Sequence, residues 1–212
     1  MDPQIKKLAK YKLGIFDEEQ EVSAEELSEV DELEVFAKSF SGKDYNIDLK
    51  SLTELPGLKI LSLSGFTLSD EDVETINSLQ ELKELSLDQC KVKTLGLTLP
   101  KLQALVVSDS FVASYGDTEF PEYTEFSGIR TLDLRKVKPS TKLSQVLIEN
   151  CRVAGFSNIV NSPNLTAVSL YSSSVDNKIA LIRLASNKNI RFEDDKHHLK
   201  VEPKDFSGED KE

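Results

Sequence analysis

Residues 82–92, LKELSLDQCKV, constrain this chain more than any other stretch. Leu82, Leu85, Leu87, Cys90 and Val92 set the spacing L-x-x-L-x-L-x-x-C-x-V. Leu85 and Leu87 stand two residues apart, so on an extended backbone both point to one face. Cys90 follows at a turn, where it can tuck inward and take up backbone groups. One such unit cannot bury its own leucines and needs copies stacked above and below it. The chain supplies them in LKILSLSGFTL, LQALVVSDSFV, LSQVLIENCRV and LTAVSLYSSSV.

The first inward residue of each unit falls at Ile47, Leu61, Leu85, Leu105, Leu132, Val146, Val168 and Ile190. The second falls two residues later, at Leu49, Leu63, Leu87, Val107, Leu134, Ile148, Leu170 and Phe192. Alternation at period two predicts short strands with one buried face. Most steps lie near 20–29 residues, but those starting at Ile47 and Leu132 span only 14. Either these two connections are tight turns, or one strand of each pair stands outside the regular stack.

Tandem units of this spacing resemble the leucine-rich repeat family over roughly residues 44–192. The resemblance implies an α/β solenoid. Its curved parallel sheet of seven or eight short strands would form the concave side, with a mixed helical and extended convex side. It implies a concave face that binds proteins, less often glycans, and it implies no chemistry. The family's usual turn asparagine is replaced here by Phe66, Cys90, Ser110, Val137, Cys151 and Ser173. Serine and cysteine can partly substitute for it; Phe66 and Val137 cannot, so irregular turns are expected there.

A helical cap is expected over residues 1–42, the array over 43–202, and a disordered polar tail over 203–212. Asp2-Pro3 is a good helix start. Ser23 with Glu26 forms a capping box, and Leu27, Val30, Leu33, Phe36, Ala37 and Phe40 follow at helical spacing as far as Gly42. Such a cap would cover the apolar edge of the first repeat. On the convex side, Ser69 introduces a helix carrying Val73, Ile76 and Leu79, and residues 176–186 read the same way. Residues 93–100 read as extended. Leu199 and Val201 could add a closing edge strand.

The formal charge of −11 is uneven: residues 17–34 hold ten acids and no base, while residues 35–192 hold eighteen of each sign. No basic stripe is visible, so nucleic acid is disfavoured as a partner. No apolar run is long enough to span a membrane. No secretion signal is recognisable at the start, so the chain reads as cytoplasmic. Cys90 and Cys151 share one repeat position and read as buried thiols rather than a disulfide framework. His197 and His198 sit in a charged tail without a third ligand cluster. No nucleophile, phosphate loop or cofactor motif appears, so no enzyme and no cofactor are expected.

The expected concave face is small and polar except in its middle and later units. There Val106, Asp133, Arg135, Leu147, Glu149 and Tyr171 gather larger groups of the kind found in interface hot spots. Asp133 and Arg135 could equally pair with neighbours. The long connection between Val112 and Ile129 carries Tyr115, Phe120, Tyr123 and Phe126, either as a lip to that face or as the core of a longer repeat. The expected role is a protein-interaction module with an unidentified protein partner and a monomeric state. The alternative is a homo-oligomer formed through the C-terminal edge of the array.

Overall fold

In a computed structural model, which describes residues 1–17, 19–38 and 45–195, eight strands form one sheet. They are β1 (Glu32–Phe36), β2 (Ile60–Ser64), β3 (Glu84–Asp88), β4 (Ala104–Ser108), β5 (Tyr123–Ser127), β6 (Gln145–Glu149), β7 (Ala167–Tyr171) and β8 (Arg191–Asp194). Each pairs in parallel only with its neighbours in sequence. Parallel neighbours need a crossover between them, and here each crossover returns along the opposite side. Two three-stranded parallel sheets flank the array. One joins Thr67–Leu68, Lys91–Thr94 and Phe111–Ser114; the other joins Leu132–Asp133, Arg152–Ala154 and Ser174–Val175.

The inward positions of the sheet are Leu33, Leu61, Leu85, Leu105, Thr124, Val146, Val168 and Phe192, with their partners two residues on. Both 14-residue steps disappear in this register. Residues 49–54 form a 3-10 helix on the return path, so Ile47 and Leu49 belong to no strand. Leu132 and Leu134 are fully buried, yet Leu132 pairs in the flanking sheet with Val153. The strand of that repeat is β5, eight residues earlier than its first inward residue was expected. At the far end, Phe192 rather than Ile190 faces Val168.

The cap is shorter than its sequence pattern. Helix α1 (Pro3–Lys12) starts as expected, with Asp2 accepting from the N–H groups of Gln4 and Ile5. The capping box of Ser23 and Glu26 also forms. Helix α2 (Ala24–Ser28) then stops, and Leu33 and Val35 enter the sheet opposite Leu61 and Leu63. Leu33 fits both periods. The open edge of β2 favours the strand, because pairing satisfies a row of backbone groups that a helix would leave bare. Helices α3 (Asp70–Asn77) and α5 (Lys178–Ser186) lie where expected, and a one-turn helix α4 (Phe156–Val160) adds to the convex side.

Every turn after β2 to β7 carries one residue in the left-handed region: Gly65, Gln89, Asp109, Gly128, Asn150 and Ser172. From Gly65 to Asn150 the N–H of that residue donates to the last carbonyl of the next strand, at 2.8–3.0 Å. The hydrogen-bond ladder thus continues one residue past the sheet. Gly128 takes its left-handed φ of +65° without steric cost, and a Cβ there would only displace the Asp109 carboxylate.

The next residue points inward and takes the place of the family asparagine. Cys90 Sγ donates to Leu63 O (3.4 Å). Ser110, Cys151 and Ser173 each share their one proton between a carbonyl of their own turn (Ser108 O at 2.7 Å, Glu149 O at 3.1 Å, Tyr171 O at 2.9 Å) and one of the preceding repeat (Leu87 O at 3.3 Å, Phe126 O at 3.6 Å, Ile148 O at 3.3 Å). Ser110 and Ser173 also accept from the buried N–H groups of Cys90 and Cys151. Burial pushes both thiols above their ordinary pKa. Phe66 occupies this position without a donor, yet the irregular turn expected there does not occur, because Gly65 takes the left-handed conformation and its N–H completes the ladder at Asp88 O. The other apolar occupant is Ile129 rather than Val137, because the repeat is framed on β5.

Candidate functional site

The exposed face of the eight-strand sheet has three rows of side chains, two crossing every strand and the third crossing β1 to β7. The first row includes Ile60, Glu84, Ala104, Tyr123, Gln145 and Ala167, and ends on Arg191. The middle row runs Glu34, Ser62, Ser86, Val106, Glu125, Leu147, Ser169 and Glu193. The third runs Phe36, Ser64, Asp88, Ser108, Ser127, Glu149 and Tyr171. Strands lie about 4.8 Å apart, so Val106, Glu125 and Leu147 are side-by-side neighbours. Tyr123 stands beside Glu125 on the same strand face.

Of the residues expected on this face, Val106, Leu147, Glu149 and Tyr171 lie there. Asp133 and Arg135 do not. They belong to the flank, where Arg135 Nε and Nη2 donate to the two oxygens of Asp133 at 2.9 and 2.6 Å. Those hydrogen bonds hold the Asp133 carboxyl down to about 2. The pair is saturated by its own partner, and Glu125 takes the position expected for Asp133.

The aromatic connection divides. Tyr115 and Phe120 are fully buried and pack edge-to-face with Phe126, with ring centroids 5.5–5.8 Å apart. They fill the repeat in which Thr124 replaces a larger aliphatic residue, so neither forms a lip. Tyr123 belongs to β5 itself. Its hydroxyl donates to Glu125 Oε2 at 2.6 Å, and partial burial together with that carboxylate pushes the phenol up to about 12.

Several acids on this face are held by hydroxyl groups. Asp88 accepts from Ser64 Oγ at 3.1 Å and Ser108 Oγ at 2.9 Å, one from each flanking strand. Tyr171 Oη donates to Glu193 Oε2 at 2.6 Å, a bond that raises the phenol's pKa, and Arg191 Nε lies 3.4 Å from Glu193 Oε1. Glu34, Glu84, Asp88, Glu125 and Glu149 have no ion-pair partner among the described residues. The middle of the face is therefore a small apolar centre of Ala104, Val106 and Leu147, with a tyrosine and oriented carboxylates around it. Glu125, Glu34 and Phe36 were missed from sequence because their strands were read in another frame. Leu199, Val201, His197 and His198 lie outside the described residues.

This architecture is a leucine-rich repeat solenoid, with the sheet as its concave side. No protein-family model and no curated protein matches the chain. Among solved structures, it is similar to internalin C2 (inlC2) from Listeria monocytogenes. Identity is 20%, coverage is 92% of this chain and 93% of that one, and the TM-score is 0.60. An internalin (inlF) from the same organism gives 18% identity, 90% and 55% coverage, and a TM-score of 0.64. At such identities the likeness is one of fold. No helix among the described residues is long and apolar enough to cross a membrane.

Proposed function

We propose that the chain is a non-catalytic protein-interaction module whose partner docks on the concave face. The contacts would centre on Val106, Tyr123, Glu125, Leu147 and Glu149, with Tyr171 toward the C-terminal side. One observation carries this reading. Half-buried Val106 and Leu147 stand on either side of Glu125, whose carboxylate holds the hydroxyl of Tyr123 beside it, on the exposed face of the sheet. Aromatic and aliphatic anchors held in fixed positions lose little freedom on binding, which is how interface hot spots arise. The reading includes a cytoplasmic setting, in keeping with two cysteines that the fold buries unbridged.

The test is affinity capture by the wild-type chain and by the Tyr123→Ala, Leu147→Asp double variant, followed by titration with the purified captured protein. Loss of two hot-spot side chains should weaken binding by about thirtyfold or more, with the melting temperature little changed. A purified partner that binds both chains equally places the contact elsewhere and overturns this assignment.

A further inference from the structure

The flank carries a row of its own. One residue past each inward turn position stand Thr67, Lys91, Phe111, Arg130, Arg152 and Ser174. The flanking sheets pair Thr67 with Lys91, Lys91 with Phe111, and Arg152 with Ser174. Phe111 is 64% exposed although it is apolar. Lys91, Arg130 and Arg152 form no ion pair among the described residues, a state they share with Lys83, Lys93, Lys136, Lys178, Arg183 and Lys188.

Taken repeat by repeat, this row is the complement of the concave face. Thr67 shares its repeat with Ser62, and Lys91 with Glu84 and Asp88. Phe111 shares its repeat with Val106, Arg130 with Glu125, Arg152 with Glu149, and Ser174 with Ser169. Neutral, basic, apolar, basic, basic and neutral groups thus stand in the same order as neutral, acidic, apolar, acidic, acidic and neutral ones. Within one chain these groups lie on opposite sides of the turn, and none of the acid–base pairs forms an ion pair.

We propose that the flank of one copy docks in the concave face of a second copy, in matching register. Lys91 then meets Glu84 and Asp88, Phe111 covers Val106, Arg130 meets Glu125, and Arg152 meets Glu149. The repeats set a spacing of about 4.8 Å on both sides. Arg130 stands one residue outside the flanking register, where Thr131 lies level with Arg152, and the acids are spread over the three concave rows. The long lysine and arginine side chains must therefore supply the reach that completes the match. The serine and tyrosine hydroxyls that hold Asp88 and Glu125 reduce the cost of ordering them. A polyanion such as nucleic acid fits less well, because the chain as a whole carries −11. That charge also repels a second copy, but at physiological salt it is screened beyond about 8 Å, and the local row decides. The two faces differ, so the contact is heterologous and open-ended. An external partner would compete for the concave side.

The inference rests on the concave face being a docking surface, and sedimentation equilibrium of the full chain tests it without that partner. Three proteins are needed: wild type, a flank variant (Arg130→Gln, Arg152→Gln) and a concave variant (Glu125→Gln, Glu149→Gln). Wild type should gain mass with concentration toward about 1 mM, and lose it at about 1 M salt, where the screening length falls to about 3 Å. Each variant alone should associate about tenfold more weakly or less. An equimolar mixture of the two variants should form pairs and nothing longer, because each retains one competent face. A wild type that stays monomeric overturns the proposal, as do variants that associate like wild type or a mixture that fails to pair. A monomeric wild type that still loses its captured partner through Tyr123→Ala, Leu147→Asp removes self-docking alone.

Discussion

Thr124 occupies an inward position that Leu61, Leu85 and Leu105 fill in other repeats. It is fully buried, and its Oγ1, like the Oη of Tyr115, has no hydrogen-bond partner. A buried hydroxyl left unpaired costs about 1–3 kcal/mol, and valine keeps the shape of threonine without it. Thr124→Val is therefore expected to stabilise the chain by about 1 kcal/mol, measured as a higher urea midpoint with an unchanged slope. A lower midpoint would reveal a buried water as the partner of that hydroxyl. The same residue explains why the site was only half legible in the sequence. A polar residue at a core position hid β5, while Leu132 and Leu134 nearby offered the leucine alternation that the strand itself lacks. Asp133 and Arg135 were carried onto the concave face by that substitution of frames, and Glu125 was lost by it.

At the scale of elements, the turn ladder replaces a missing asparagine with serine and thiol groups. Ser110, like Ser173, has three contacts: it accepts from Cys90 N at 2.9 Å and shares its one hydroxyl proton between Ser108 O at 2.7 Å and Leu87 O at 3.3 Å. Ser110→Ala leaves the Cys90 N–H buried and unpaired between two repeats. The expected loss is about 1–3 kcal/mol by chemical denaturation. Thr141→Ala, which removes only an exposed bond to Glu119, should change little. A loss at Ser110 no larger than at Thr141 would mean that solvent reaches the turn. The repeats that use this ladder were all readable from sequence, as was β2 with Phe66 at its turn, because the aliphatic pair of the strand is a local pattern. β1 was not, since Val30, Leu33 and Phe36 satisfy a helical period as well as Leu33 and Val35 satisfy the period of a strand. Only the unpaired edge of β2, which no local window contains, decides between them.

Across the whole molecule, stability is passed from neighbour to neighbour, because every strand of the sheet bonds only to the strands before and after it. The cap then governs one end of the array. Helix α1 packs on β1 with Ile5 and Ala9 fully buried. Asp2 ties the helix start to the 3-10 helix, donating from its N–H to Ser51 Oγ at 2.6 Å and accepting from Asp48 N at 3.0 Å. Ile5→Ala removes buried methyl groups at a site that can collapse only partly, for a loss of about 2–4 kcal/mol. In a nearest-neighbour stack that loss belongs first to the repeats that touch the cap. Amide hydrogen exchange should therefore accelerate at Leu33 to Phe36, less at Leu61 to Ser64, and hardly at Val168 to Tyr171. Equal acceleration in all eight strands would show that the array opens only as one unit. The apolar centre of the concave face, at β4 to β6, stands three strands or more from the cap. The graded outcome would thus leave the docking surface ordered while the cap frays, so binding measured with Ile5→Ala should match wild type wherever the chain remains folded.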